Sequence, residues 1–220
     1  SYNYKHLSIT SSSHPDPSVF YLNNVPVFQL AASGQISGYF YEVSDSPENN
    51  VTLAQSQAIP SSEEITIYEH GSLDDGSWYL HIIPYSSNGT FQENWAGTYQ
   101  FMIGRNSIQI DSQTHPDSSE WYPGQTIVLD ISALPGISNY HYDFSRNPLI
   151  VPQVGSSNQL SVNSWIEFAS GYGEYFLNII PEDSVGYVIN EPIRKRFNVG
   201  SQPPFSNFFQ IPSLDTLVLS

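Results

Sequence analysis

The stretch Ile36-Ser37-Gly38-Tyr39-Phe40-Tyr41-Glu42-Val43-Ser44-Asp45-Ser46-Pro47 returns as Ile137-Ser138-Asn139-Tyr140-His141-Tyr142-Asp143-Phe144-Ser145-Arg146-Asn147-Pro148, 101 positions further on. The tripeptide His14-Pro15-Asp16 returns at the same offset as His115-Pro116-Asp117. A third phrase, Gly76 to Pro84, matches Gly173 to Pro181 at an offset of 97, so residues have been lost from loops while the strands keep their pattern. A chain of 220 residues that repeats itself in this way is two copies of one unit. The expected division is residues 1–104, residues 105–200 and a tail, 201–220.

Within each copy the apolar residues alternate. In Gly38–Val43 the side chains of Tyr39, Tyr41 and Val43 share one face, and Trp78, Leu80 and Ile82 do so in the strand launched by the Asp74-Asp75-Gly76 turn. The first copy further predicts strands over 6–10, Val25–Leu30 with Val25, Val27 and either Phe28 or Leu30 inward, Val51–Leu53, Glu64–Tyr68 and Thr98–Gly104. The second predicts Ile108–Asp111, Thr126–Ile131, Tyr140–Phe144, Leu160–Phe168, Gly173–Ile180 and Lys195–Val199. About seven short strands per hundred residues, with frequent turn signals, is the pattern of an immunoglobulin-like β-sandwich. The fold class is therefore all-β, two tandem sandwiches with an extended C-terminal tail. The short Gly104-Arg105-Asn106-Ser107 connection predicts a semi-rigid pair set end to end.

The 21 acidic residues against 6 Lys and Arg give a net charge of −15, which repels phosphate backbones and anionic lipid. Nucleic acid and membrane insertion are excluded as partners, since no apolar run approaches the roughly 18 residues of a span. Arg194-Lys195-Arg196 reads as a solvated strand face. With no cysteine there is neither a disulfide framework nor a thiolate metal site. The chain opens at Ser1 without a signal peptide, as a piece of a longer protein or a mature secreted chain, and export is expected under either. The Asn50-Val51-Thr52 and Asn88-Gly89-Thr90 sequons make Asn50 and Asn88 candidate N-glycosylation sites of an extracellular protein.

The phrase Ile36 to Tyr41 and the approach Leu73 to Ile82 resemble fibronectin type III strands. Together with Thr114-His115-Pro116-Asp117 and Trp121-Tyr122 they are similar to tandem Ig-like/fibronectin-like modules of bacterial and archaeal cell-surface proteins. The resemblance covers roughly residues 6–200 and implies an extracellular spacer or adhesive module. It carries over no catalytic residue, and the Trp usual in the second strand of fibronectin modules is replaced by Phe28 and Leu129.

A search for chemistry finds little. His14 and His115 sit beside Asp16 and Asp117 on Pro-rich turns, where a structural role with the carboxylate accepting turn N–H groups outweighs a metal site. His81 is expected to hydrogen-bond at the surface. Asp45, Glu48, Asp74 and Asp75 are oxygen ligands of the type calcium takes, without a calcium-loop motif, so no cofactor is expected. No nucleophile elbow, phosphate loop or zinc helix occurs, and no enzymatic activity is expected. Among aromatics able to stack on glycans, Tyr2, Tyr4, Trp95, Trp121 and Trp165, Trp121 is matched by Phe20 in the other copy and reads as core, whereas Trp95 and Trp165 have no counterpart there and are the candidates.

The tail is apolar, with Phe205, Phe208, Phe209 and Ile211. Its stretch Leu214-Asp215-Thr216-Leu217-Val218-Leu219 reads as an orphan strand, in which Leu214, Leu217, Val218 and Leu219 could enter the sheet of another subunit. Alternatively it begins a third repeat or runs to a cell anchor. The expected function is an extracellular structural protein, a stalk, surface-layer or filament subunit whose partners are itself or neighbouring surface domains; the alternative is an adhesin or glycan-binding module.

Overall fold

The computed structural model describes residues 7–33, 36–48, 51, 57–60, 64–66, 72–88, 96–105, 108–133, 135–161 and 163–201, and all regular structure among them is β-strand. The first eight strands are β1 (Leu7–Ser11), β2 (Phe20–Tyr21), β3 (Val27–Ala32), β4 (Gly38–Ser44), β5 (Gln57–Pro60), β6 (Glu64–Thr66), β7 (Gly76–Tyr85) and β8 (Gly97–Ile103). They pair as β1-β3-β6 and β2-β8-β7-β4-β5. The next eight are β9 (Gln109–Ser112), β10 (Trp121–Tyr122), β11 (Thr126–Ser132), β12 (Ile137–Ser145), β13 (Asn158–Leu160), β14 (Ser164–Phe168), β15 (Gly173–Asp183) and β16 (Ile193–Val199). They repeat the plan as β9-β11-β14 and β10-β16-β15-β12-β13. Three strands facing five is an immunoglobulin-like, fibronectin III-like sandwich, present twice.

Alternation along each strand sends every second side chain between the sheets. In the first sandwich Tyr39, Tyr41, Leu80, Ile82, Phe101 and Ile103 meet Phe28, and Phe28 sets its ring edge-on to Phe101 at 5.2 Å. In the second, Ile127, Leu129 and Ile131 face Tyr140, Leu177, Ile179, Phe197 and Val199. Each such side chain removed from water contributes about 1.5–3 kcal/mol. Trp78 is half-buried and packs on the first core beside the fully buried Leu80 and Ile82.

The histidine turns are built alike in both copies. The Asp16 carboxylate accepts the Ser18 N–H (2.9 Å) and hydroxyl (2.6 Å), and the Asp117 carboxylate accepts those of Ser119 (2.8 and 2.7 Å). The Asp16 and Asp117 N–H groups donate to the hydroxyls of Tyr21 and Tyr122, tying each turn to the short strand that follows. Beneath the turns the His14 and His115 rings are buried, His14 edge-on to Tyr21 and Phe101. Burial lowers the His14 pKa to about 4 and pushes that of His115 down as well.

Three expectations are corrected, and one pairing is new. Of the residues expected inward in β3, Phe28 and Leu30 are, together with Ala32, while Val25 and Val27 are not, because the Phe28 ring packs edge-on against Tyr99 and Phe101 of the facing sheet and so sets the phase of the strand. The single strand expected over Leu160–Phe168 is two: β13 pairs with β12 in the five-stranded sheet, and β14 crosses to pair with β11. The two-residue strands β2 and β10 pair in parallel with β8 and β16, a pairing too short to show as periodicity. His81 is 1% exposed rather than at the surface. It does hydrogen-bond, to Thr98 Oγ1, Ser44 Oγ and the Ser46 carbonyl, and those polar partners permit its burial. Of the strand expected at Val51–Leu53, Val51 is not in a strand, and residues 52 and 53 lie outside the described residues.

Candidate functional site

The chain leaves the first sandwich beside its own second strand. β2 runs parallel to β8, and the Gly104 N–H donates to the Tyr21 carbonyl at 3.0 Å. That pins the exit next to Leu22, which is fully buried although it belongs to neither core cluster. What meets it comes from the end of β15. Asp183, 1% exposed, accepts the Leu22 N–H on Oδ2 (3.1 Å) and the N–H groups of Val185 (3.1 Å) and Tyr187 (2.9 Å) on Oδ1. The tight turn supplying two of those donors is closed by Gly186 N–H to the Asp183 carbonyl and Asp183 N–H to the Tyr187 carbonyl, both 3.0 Å. A buried carboxylate facing three backbone donors is satisfied without a cation, and here one donor belongs to the other sandwich.

A second bond crosses nearby, from Phe20 N–H to the Pro135 carbonyl at 3.1 Å, while Ser184 N–H donates to the Gly136 carbonyl at 2.9 Å. Gly136 has φ +114°, and a Cβ there would stand 2.1 Å from the Phe20 carbonyl oxygen. Only glycine permits that approach. Next to Asp183, Glu182 Oε2 lies 2.9 Å from Nε2 of the buried His141 and 3.4 Å from Asn139 Nδ2, bracing the end of β15 against β12. Asn24, Asp74, Asp75, Arg105, Glu191 and Ile193 line a cleft of about 490 Å³ between the sandwiches. One wall is fixed where the Asp75 carboxylate accepts the Arg105 N–H at 2.8 Å.

The other candidates are scattered. Asn88 is exposed on the turn after β7, where its side-chain oxygen accepts the Ser86 hydroxyl. Trp165 is half-buried against the second core, its ring 5.5 Å from that of Tyr142 and its Nε1 donating to Glu167 at 3.1 Å. Trp121 is half-buried in β10. Asn50, Trp95, Tyr2, Tyr4, Leu214, Leu217, Val218 and Leu219 lie outside the described residues. Among the described residues no three His, Cys, Asp or Glu side chains are placed to hold a metal, and Asp45 and Glu48 are exposed.

The basic triplet is not simply solvated. Arg194 donates to Asn178 Oδ1 (3.1 Å), Lys195 to the Ile110 carbonyl, and Arg196 to the Ser118 carbonyl (3.1 Å). Each cation thus holds a strand or loop of its own sandwich. Sequence reasoning did not single out Leu22 or Asp183. The one signal was that the second copy carries Glu182-Asp183 after the shared proline where the first has Tyr85-Ser86.

Neither a family model nor a curated protein sequence matches the chain. Among solved structures it is similar to the fibronectin(III)-like modules of Clostridium thermocellum CbhA, at 16% identity and a TM-score of 0.34, over 88% of this chain and 95% of that one. It is also similar to the BSP domain of a biofilm associated protein, at 12% identity and a TM-score of 0.29, over 91% of this chain and 31% of that one. The fold assignment rests on the strand order. Among the described residues no helix is long and apolar enough to cross a membrane.

Proposed function

We propose that this chain is a non-catalytic spacer of an extracellular surface protein, a rigid segment of stalk made of two modules, residues 1–104 and 105–200. The observation that carries it is the clasp at the junction. Asp183 of one sandwich takes a buried backbone N–H of the other, beside a fully buried Leu22. Flexibly tethered domains expose such groups to water; here they are shared, so the two modules hold one angle. A cysteine-free, strongly acidic, Ser- and Asn-rich chain suits an exported surface where neither disulfides nor phosphate contacts are needed. The exposed Asn88 turn is where a glycan would sit.

The test is solution scattering on the purified chain alongside Asp183→Ala. A single rigid arrangement fitting the wild-type curve, and a broadened ensemble for the variant, is the expected result. A wild-type curve that demands free reorientation of the modules contradicts the spacer role.

A further inference from the structure

Among the described residues, nothing covers the far end of the second sandwich, where the matching end of the first is covered. The loop after β2 holds Leu22 at 0% and Asn24 at 8% exposure, whereas their counterparts 101 positions on, Pro123 and Gln125, are exposed. Beside that loop stand Phe168, 71% exposed, and Tyr172, 67% exposed. Their placement at one end follows from the register. Phe168 pairs with Thr126, and Ala169 N–H donates to the Gln125 carbonyl at 2.9 Å.

The described chain ends beside this same surface. Gly200 N–H donates to the Tyr122 carbonyl at 2.6 Å, as Gly104 does to Tyr21 in the first copy. Gly200 has φ +117°, and a Cβ there would stand 3.0 Å from the Tyr172 side chain. In the first copy the residues that follow the exit lead directly into the sandwich that covers Leu22. In the second they are Phe205, Phe208, Phe209 and Ile211. The ten residues 202–211 can reach about 33 Å, well beyond the ~10 Å between the sheets of a sandwich. A segment of the same chain is also present at roughly millimolar effective concentration. A third sandwich held by the same clasp does not fit, because Pro123 stands where Leu22 donates its N–H and has none to give. What covers this end cannot use that N–H, and the exposed Phe168 and Tyr172 offer it an apolar face instead.

We propose that the end of the second sandwich formed by Pro123, Phe168 and Tyr172 is a docking surface, and that its occupant is the aromatic segment Phe205–Ile211 of the same chain. Amide exchange in dilute solution tests this on the full chain, on a chain ending at Ser201 and on the full-length double variant Phe208→Ser, Phe209→Ser. Exchange across 121–126 and 169–173 should be about tenfold faster in both altered chains, a loss of local protection of that order being ~1.4 kcal/mol. Exchange in β12 and β15 should not change, which separates loss of the cover from loss of the fold. Equal exchange at 121–126 and 169–173 in all three chains overturns the proposal. So does protection in the full chain that fades on dilution, which assigns the surface to a second copy.

Discussion

The two sandwiches share a plan, yet their equivalent ends differ. Tyr21 and Leu22 are 2% and 0% exposed at the end of the first; Tyr122 is half-buried and Pro123 exposed at the end of the second. Both ends are pinned in the same way, by a glycine N–H on the tyrosine carbonyl. What separates them is the next piece of chain. The lesson is that a module's end is completed by its neighbour, and that Asp183 is the residue through which this neighbour does it.

The largest effect should come from the cores, where the two copies ought to behave alike. Phe28→Ala and Leu129→Ala each empty a fully buried site and should cost about 3–5 kcal/mol. Denaturant unfolding followed by exchange of each sandwich should show the damage beginning in the altered one. Equal loss in both would mean the junction makes them a single cooperative unit.

Next is Asp183→Ala, which strips the acceptor from three N–H groups and should cost about 3 kcal/mol. Ser86→Ala, the change at the equivalent position of the first copy, should cost under about 1 kcal/mol, since its hydroxyl donates to the Asn88 side chain at an exposed turn. Calorimetry on the pair measures the asymmetry directly, and equal losses would break it.

The histidine turns sharpen the comparison through pH. His14 is held neutral by burial, with a folded pKa of about 4 below its unfolded value of 6.5, so its contribution is complete above pH 6.5 and is lost as pH falls toward 4. The stability lost through it should reach about 2 kcal/mol by pH 5. His14→Gln should flatten that part of the profile, and His115→Gln should do the same in the same direction. A profile unchanged between pH 6.5 and 4.5 in both variants would show that the rings are not buried neutral.

The smallest change is at the surface. Arg196 and Glu174 approach to 3.8 Å while both are about half exposed, so Glu174→Gln should alter stability by less than about 0.5 kcal/mol. A larger loss on thermal unfolding would give the Arg196–Glu174 pair a part in holding β16 to β15 that its long, half-exposed contact does not indicate.

Much of the fold was legible because duplication checks each strand against its copy. Tyr39 and Tyr140, or Leu80 and Leu177, keep the alternation that two packed sheets require. What escaped was set by pairing rather than periodicity. Nothing local says that Trp165 and Leu160 lie in different sheets, since the crossover is decided by which partners they find. His81 reads as a surface residue until Ser44, Ser46 and Thr98 are seen around it. Asp183 escaped for a related reason: its partner Leu22 is 161 residues away, and the Glu182-Asp183 pair closing β15 does not by itself say which chain segment it will meet.

The most direct measurement is the distance distribution between spin labels at Ser77→Cys and Gln159→Cys, one on each sandwich, in the wild-type background and with Asp183→Ala. A single narrow peak that broadens when Asp183 is removed is the predicted result. A broad distribution already present in the wild-type chain would contradict the clasp, and with it the rigid spacer.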